Sequence, residues 1–239
     1  MLLSIKTVQA AQLNWIIETV DAAIDVGEYC SIKIDSNDHI HIAYYDAHWQ
    51  NLKYAHFDGN AWSKEPPVDS VGNVGKYCSL GLDSNNRPHI SYFDESNYLL
   101  KYAWWNGLNW SITILDNNSG GYTSIALDSA DNPHISYYDY DQATLMYAGW
   151  SGSAWTIMPV DSSGTGTVGE GSSIAVDFSN YPRIAYRSSS EGLKLAEWNG
   201  TDWDIKVLDS RAVQDSCFVI DAWGDSHISY YDEDMGNLM

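Results

Sequence analysis

Three tyrosines stand at matching points of the chain, each just behind a glycine: Gly27-Glu28-Tyr29, Gly75-Lys76-Tyr77 and Gly120-Gly121-Tyr122. A second recurring point carries a carboxylate after an aromatic run: Asp46, Asp94, Asp139 and Asp232. Exposed rings beside acceptors are what recognition of a sugar requires, since rings stack on apolar sugar faces and carboxylates accept from hydroxyls. The competing reading is that the tyrosines pack between structural units and the carboxylates cap turns. A third set is cationic. Arg183 and Arg187 replace residues found in the other copies of the same run, and four positions apart on a strand places them on one face. Two guanidiniums there could pair with neighbouring carboxylates or hold an anionic ligand such as a uronate. Hydrolysis of a glycoside would need two carboxylates roughly 5–10 Å apart, for which the same four aspartates are the candidates.

The elements that must position these residues come from a repeat. Pro133-His134-Ile135-Ser136-Tyr137-Tyr138-Asp139 returns as Pro88 to Asp94, His41 to Asp46 and His227 to Asp232, and in decayed form as Pro182 to Ser188. Asp35, Asp83, Asp128, Asp177 and Asp221 each close an alternating run, and Trp15, Trp62, Trp110, Trp155 and Trp203 each open another. Successive marks fall 44 to 49 residues apart, with four strand-like runs in each interval. That period and strand number match a propeller blade. The expected fold is all-β: a five-bladed β-propeller of four-stranded antiparallel blades, at about residues 26–69, 74–116, 121–161, 169–209, and 214–239 closed by 4–21. The last blade is then composite, with residues 4–9 as its third strand and Trp15 to Val20 as its outer strand. The alternative is a segment cut from a longer array. In the propeller reading Tyr29, Tyr77 and Tyr122 ring the mouth of the central channel, and Gly171 in the fourth blade widens it.

The pattern Pro-His-Ile-Ser-Tyr-Tyr-Asp, Leu-Lys-Tyr-Ala, Asn-Gly-x-x-Trp resembles the β-propeller repeats of bacterial and archaeal, often secreted or surface, proteins. The likeness covers nearly the whole chain and speaks for fold, because propellers host lectins, hydrolases and scaffolds alike. Tryptophan–aspartate propellers are similar in repeating His, Ser, Trp and Asp once per blade. That analogy implies that His89, Ser91, Trp110 and Asp83 hold a blade together. His41, His89, His134 and His227 are accordingly expected to be structural, and too widely spread round the axis to share one metal ion.

Composition narrows the partners. Thirty-two acidic residues against 12 basic ones give a net charge of −20, a field that repels nucleic acid and anionic lipid. Cys30, Cys78 and Cys217 are expected to be buried, unbridged small residues. No apolar run reaches the roughly 18 residues of a membrane helix. Met1-Leu2-Leu3-Ser4-Ile5-Lys6 lacks the charged n-region and long apolar core expected of a signal peptide, although an extracellular or surface setting suits the composition. Aspartate boxes, phosphate loops, nucleophile elbows and zinc spacings are absent, so no cofactor or metal is expected. The expected function is a non-catalytic binding module, with carbohydrate or another small polar ligand held on the loop face at the channel mouth. The alternatives are a glycoside hydrolase or lyase acting there, and a structural segment of a larger surface protein.

Overall fold

The computed structural model describes residues 16–239 apart from 65, 118 and 163–165, and its regular structure is all strand. The first sheet holds β1 (Val26–Ile34), β2 (Ile40–Asp46), β3 (Asn51–Phe57) and β4 (Trp62–Lys64). The second holds β5 (Val74–Leu82), β6 (Pro88–Asp94), β7 (Leu99–Trp105) and β8 (Trp110–Asn117). The third holds β9 (Ser119–Leu127), β10 (Pro133–Asp139), β11 (Thr144–Trp150) and β12 (Trp155–Asp161). The fourth holds β13 (Val168–Val176), β14 (Pro182–Ser188), β15 (Gly192–Trp198) and β16 (Trp203–Asp209), and the fifth β17 (Val213–Ile220), β18 (Ser226–Asp232) and β19 (Asn237–Leu238). These antiparallel sheets stand round one axial cavity to which each contributes a pair of first-strand residues, from Tyr29 and Cys30 to Asp215 and Ser216. The protein is a five-bladed β-propeller.

Each blade is built by the same local chemistry. The aspartate closing the first strand bends its carboxylate back over the turn, so that Asp35 Oδ1 accepts from the amides of Asn37 and His39 at 2.8 and 2.9 Å. Asp83, Asp128, Asp177 and Asp221 repeat this bond pair on their own turns. Within four of these turns one residue takes positive φ, and it is always Asp or Asn: Asp38, Asn86, Asp131 and Asn180. Those side chains tolerate that region best after glycine. The second strands then run through the middle of the sheets, and β6 and β10 are buried along their whole length.

Blades are joined by hydroxyl groups. Ser31 Oγ accepts from the amide of Leu80, Ser79 from Ile125, Ser124 from Ile174 and Ser173 from Phe218, all at 3.0–3.2 Å. One position earlier the side chain donates backwards to a carbonyl of the preceding blade: Cys78 to Tyr29, Thr123 to Tyr77, Ser172 to Tyr122 and Ser216 to Gly171. Between these rungs Leu80, Ile125, Ile174 and Phe218 are buried. The interval from the fifth blade round to the first differs. Cys217 stands at the serine position, Cys30 and Cys217 are exposed, and Ile32, the counterpart of fully buried Leu80, is 60% exposed. The expectation of three buried cysteines therefore holds for Cys78 alone. All three are free thiols.

The fifth sheet has three strands among the described residues, and the expected strand at 4–9, with Trp15, lies outside them. Residues 16–20 form no strand. They nevertheless lead into a contact that every blade repeats. Asp21 accepts from Tyr44 and Lys53 of the first blade at 2.9 and 3.0 Å, as Asp69 accepts from Tyr92 and Lys101 of the second at 2.8 and 3.1 Å. Asp116, Asp161 and Asp209 grip Tyr137, Tyr186 and Tyr230 likewise. The second latch is the most deeply buried, and Lys101 also meets Asp94 at 2.8 Å. Replacing Asp69 with Ala leaves the buried Tyr92 hydroxyl without its acceptor and Lys101 with Asp94 alone, and should cost about 2–3 kcal/mol, whereas Tyr92→Phe should cost about 1 kcal/mol. Urea unfolding of both variants measures this, and equal small losses would contradict the latch.

Candidate functional site

The four loop carboxylates sit inside the protein. Asp46, Asp94, Asp139 and Asp232 are all buried, and each accepts from backbone amides of the turn that follows it. Three of them also meet a cation: Lys53 at 3.7 Å, Lys101 at 2.8 Å, and Arg211 against Asp232. They are held by turns and internal ion pairs rather than presented to solvent.

The tyrosines do form a ring segment at the mouth. Tyr29, Tyr77 and Tyr122 pack against one another in succession, their rings tilted, with centroids 4.7 and 4.6 Å apart. A bulge near the start of each first strand turns the side chain out of register. The three residues adopt φ of 51, 53 and 52°, in the left-handed region. Tyr140 adds a fourth ring against Phe93 and Tyr138, and burial pushes its phenol up to about 12.

The two arginines share a strand but serve opposite ends of it. Arg187 lies at the mouth, 2.9 Å from Glu170. Arg183 takes the place of the repeated histidine on the far side of the blade, where it meets Asp177 at 3.0 Å and Glu197 at 3.6 Å and reaches Ser226 of the fifth blade. Both are paired internally, and no single ligand of sugar size spans the two ends of β14.

Sequence reasoning missed the cavities between blades, on the side opposite the mouth. One of about 360 Å³ lies between the first and second blades. The first blade lines it with Asp35, Asn37, His39, His41, Tyr54 and His56, and the second with Asn85, Asn86, Trp105 and Trp110. Its counterpart of about 680 Å³ lies one blade on, where His89, Tyr102 and Trp104 face Asp131, Asn132, Trp150 and Trp155. Both have the same frame. His41 and His89 bond the hydroxyls of Tyr54 and Tyr102 through Nδ1 at 2.5 Å, and those tyrosines receive Trp110 and Trp155 edge-on at 5.3 and 5.2 Å. The floor is tied by turn-to-turn bonds, Ser36 to Asn86 and Ser84 to Asp131. A signal for these cavities did exist. The Asn-Gly-x-x-Trp hairpin is preceded by a further tryptophan in the second blade, and Trp105 and Trp110 pack at 5.7 Å.

The polar groups facing the first cavity are not all satisfied. Trp110 Nε1 and His41 Nε2 are buried without a hydrogen-bond partner. The latter lies 3.5 Å from Asp35 Oδ2, too long for a well-formed bond. Burial works to raise the Asp35 carboxyl, yet the amides of His39 and Asn37, with His41 beside it, hold it at about 2. Among the described residues no group of three or more His, Cys, Asp or Glu is arranged to hold a metal ion, and no helix is long and apolar enough to cross a membrane.

No protein-family profile and no curated protein matches the chain. Solved structures do. AofleA from Arthrobotrys oligospora shares 15% identity at a TM-score of 0.67, over 94% of this chain and 71% of its own. The SapL1 lectin, solved with α-methyl fucoside, shares 14% at 0.66, over 90% and 76%. A polysaccharide lyase of the ulvan lyase type shares 14% at 0.62, over 86% of this chain and 63% of its own. The likeness is one of fold, and it places this propeller among architectures that include lectins and a lyase.

The histidines of the frame give the protein a pH signature. Burial lowers the pKa of His41, His89 and His134. Below about pH 6.5 the unfolded chain therefore takes up protons that the folded protein refuses, so stability is lost as pH falls from about 6.5 toward the folded values. The urea midpoint should drop between pH 7 and pH 5, and His134→Gln should reduce that slope. A midpoint flat across the window would show these imidazoles to be titrating freely.

Proposed function

We propose that the protein is a non-catalytic carbohydrate-binding module that seats sugars in the two cavities between its first three blades. The observation that carries this reading is the pairing, in the first cavity, of aromatic walls with an unsatisfied polar atom; the second cavity repeats the walls. Trp105 with Trp110, and Trp150 with Trp155, offer indole faces for the apolar side of a pyranose. Trp110 Nε1 is a buried donor that gains a partner when a ligand hydroxyl enters, which recovers its desolvation cost of about 1–3 kcal/mol. Asn37, Asn85 and Thr113 add amide and hydroxyl groups that match a sugar's donors and acceptors.

The overall charge favours neutral sugars over anionic ones. The lectins that share the fold support the ligand class, and an extracellular or cell-surface setting is consistent with it. A hydrolase or lyase at the mouth has less to draw on. The four loop aspartates are enclosed by turns, and every carboxyl whose pKa is displaced among the described residues is displaced downward, away from the range of a general acid.

The test is a titration of methyl pyranosides of fuco, galacto, manno and gluco configuration, with methyl β-glucuronide as the anionic control. Trp105→Ala and Trp150→Ala each remove one wall and should each weaken binding of the preferred sugar about tenfold or more at its own cavity. Native protein that binds none of the panel, or binds it equally after both substitutions, would refute this placement.

A further inference from the structure

The left-handed position at the channel mouth is filled in all five blades, but not by the same residue. Tyr29, Tyr77 and Tyr122 hold it in the first three, Gly171 with φ 61° in the fourth and Asp215 with φ 41° in the fifth. The tyrosine ring is therefore broken over one arc. There a cavity of about 180 Å³ opens, lined by Tyr122, Glu170, Gly171, Arg187, Gln214 and Asp215. We propose that this break is a third sugar subsite, distinct from the cavities between blades and built to take one neutral pyranose ring. The proposal rests on the carbohydrate reading of the protein and adds a separate site to it.

The chemistry of the lining is that of diol recognition. Arg187 donates and its partner Glu170, 2.9 Å away, accepts, so the pair presents both hydrogen-bonding senses side by side. Asp215 is exposed and its carboxylate accepts no hydrogen bond among the described residues, while Gln214 is held by Glu233. Tyr122 borders the opening on the side where the aromatic row ends. Two carboxylates against one guanidinium leave the cavity acidic, which selects a neutral sugar and disfavours a uronate. The missing side chain is what makes the room. A Cβ on Gly171 would meet nothing nearer than the Asp215 backbone at 3.5 Å, and its backbone already lies where three tyrosines lie. A tyrosine there would take the same left-handed backbone that Tyr29, Tyr77 and Tyr122 already adopt, with room for its Cβ, and it would fill the cavity.

The experiment uses the double variant Trp105→Ala/Trp150→Ala, with the cavities between blades disabled, and titrates it with the same methyl pyranosides. It should retain one equivalent of binding for at least one neutral sugar and none for methyl β-glucuronide. Adding Gly171→Tyr, which restores the ring as the first three blades have it, should lower that residual affinity at least tenfold. Arg187→Gln should do the same without filling the space. Near-UV circular dichroism matching the parent checks that each variant is folded, and Arg187→Gln carries the test should Gly171→Tyr fail that check. Residual binding unchanged by both substitutions, a preference for the glucuronide, or a double variant with no residual binding while the native protein binds would each overturn the third subsite. The last of these would leave the proposal for the cavities between blades intact.

Discussion

The structure depends on one constraint: a side chain hydroxyl, or a thiol in one case, must reach the backbone of the next blade. Four-stranded sheets of this size cannot bury both faces alone, so each needs its neighbours at a fixed distance. The serines at 31, 79, 124 and 173 set that distance by accepting an amide hydrogen from the following first strand. The donors at 78, 123, 172 and 216 return the bond to the preceding one. Glycines allow the close approach. A Cβ on Gly75, Gly120 or Gly169 would stand within 3 Å of the backbone of the preceding blade. Apolar residues between the rungs are then buried, and the aspartate–tyrosine latches hold the loop side of the same interfaces.

The cavities follow from this spacing. At the channel the blades are close enough for direct bonds. Toward the rim they diverge, and the space is bridged by large aromatic groups, a tryptophan of one blade against a tyrosine of the one before. In the second and third blades a further tryptophan, Trp105 or Trp150, extends the bridge into a wall with a cavity beside it. The third interface has the bridge, Trp203 on Tyr147, but Gly149 stands where the first two interfaces carry His56 and Trp104. One interface grammar thus yields walls of different composition, which is how a repeat protein can differentiate its sites while keeping its fold.

Much of this was legible in the residues. The spacing of aspartates and tryptophans gave the blade, its four strands and the number of copies, because period and strand content depend on local pattern alone. The tyrosines at 29, 77 and 122 are neighbours at the mouth because equivalent positions on successive first strands converge on the axis. Two things were hidden. The aspartates at 46, 94, 139 and 232 look like loop carboxylates in sequence, yet the amides of their own turns and the cations at 53, 101 and 211 enclose them. The cavities between blades combine residues about one and a half repeats apart, such as His41 with Trp110, and only the angle between sheets brings these together. The arginines at 183 and 187 share a strand face, as the alternation required, but a strand is long enough to send them to different environments.

The central claim is that the indole-walled spaces between blades are ligand sites and not gaps left by divergence. A crystal structure of the protein soaked with its preferred methyl pyranoside decides this most directly. The account predicts a sugar ring lying against Trp105 or Trp150, with a hydroxyl oxygen within hydrogen-bond distance of Trp110 Nε1 where the first cavity is occupied. Saturating sugar that leaves both cavities to solvent would contradict it.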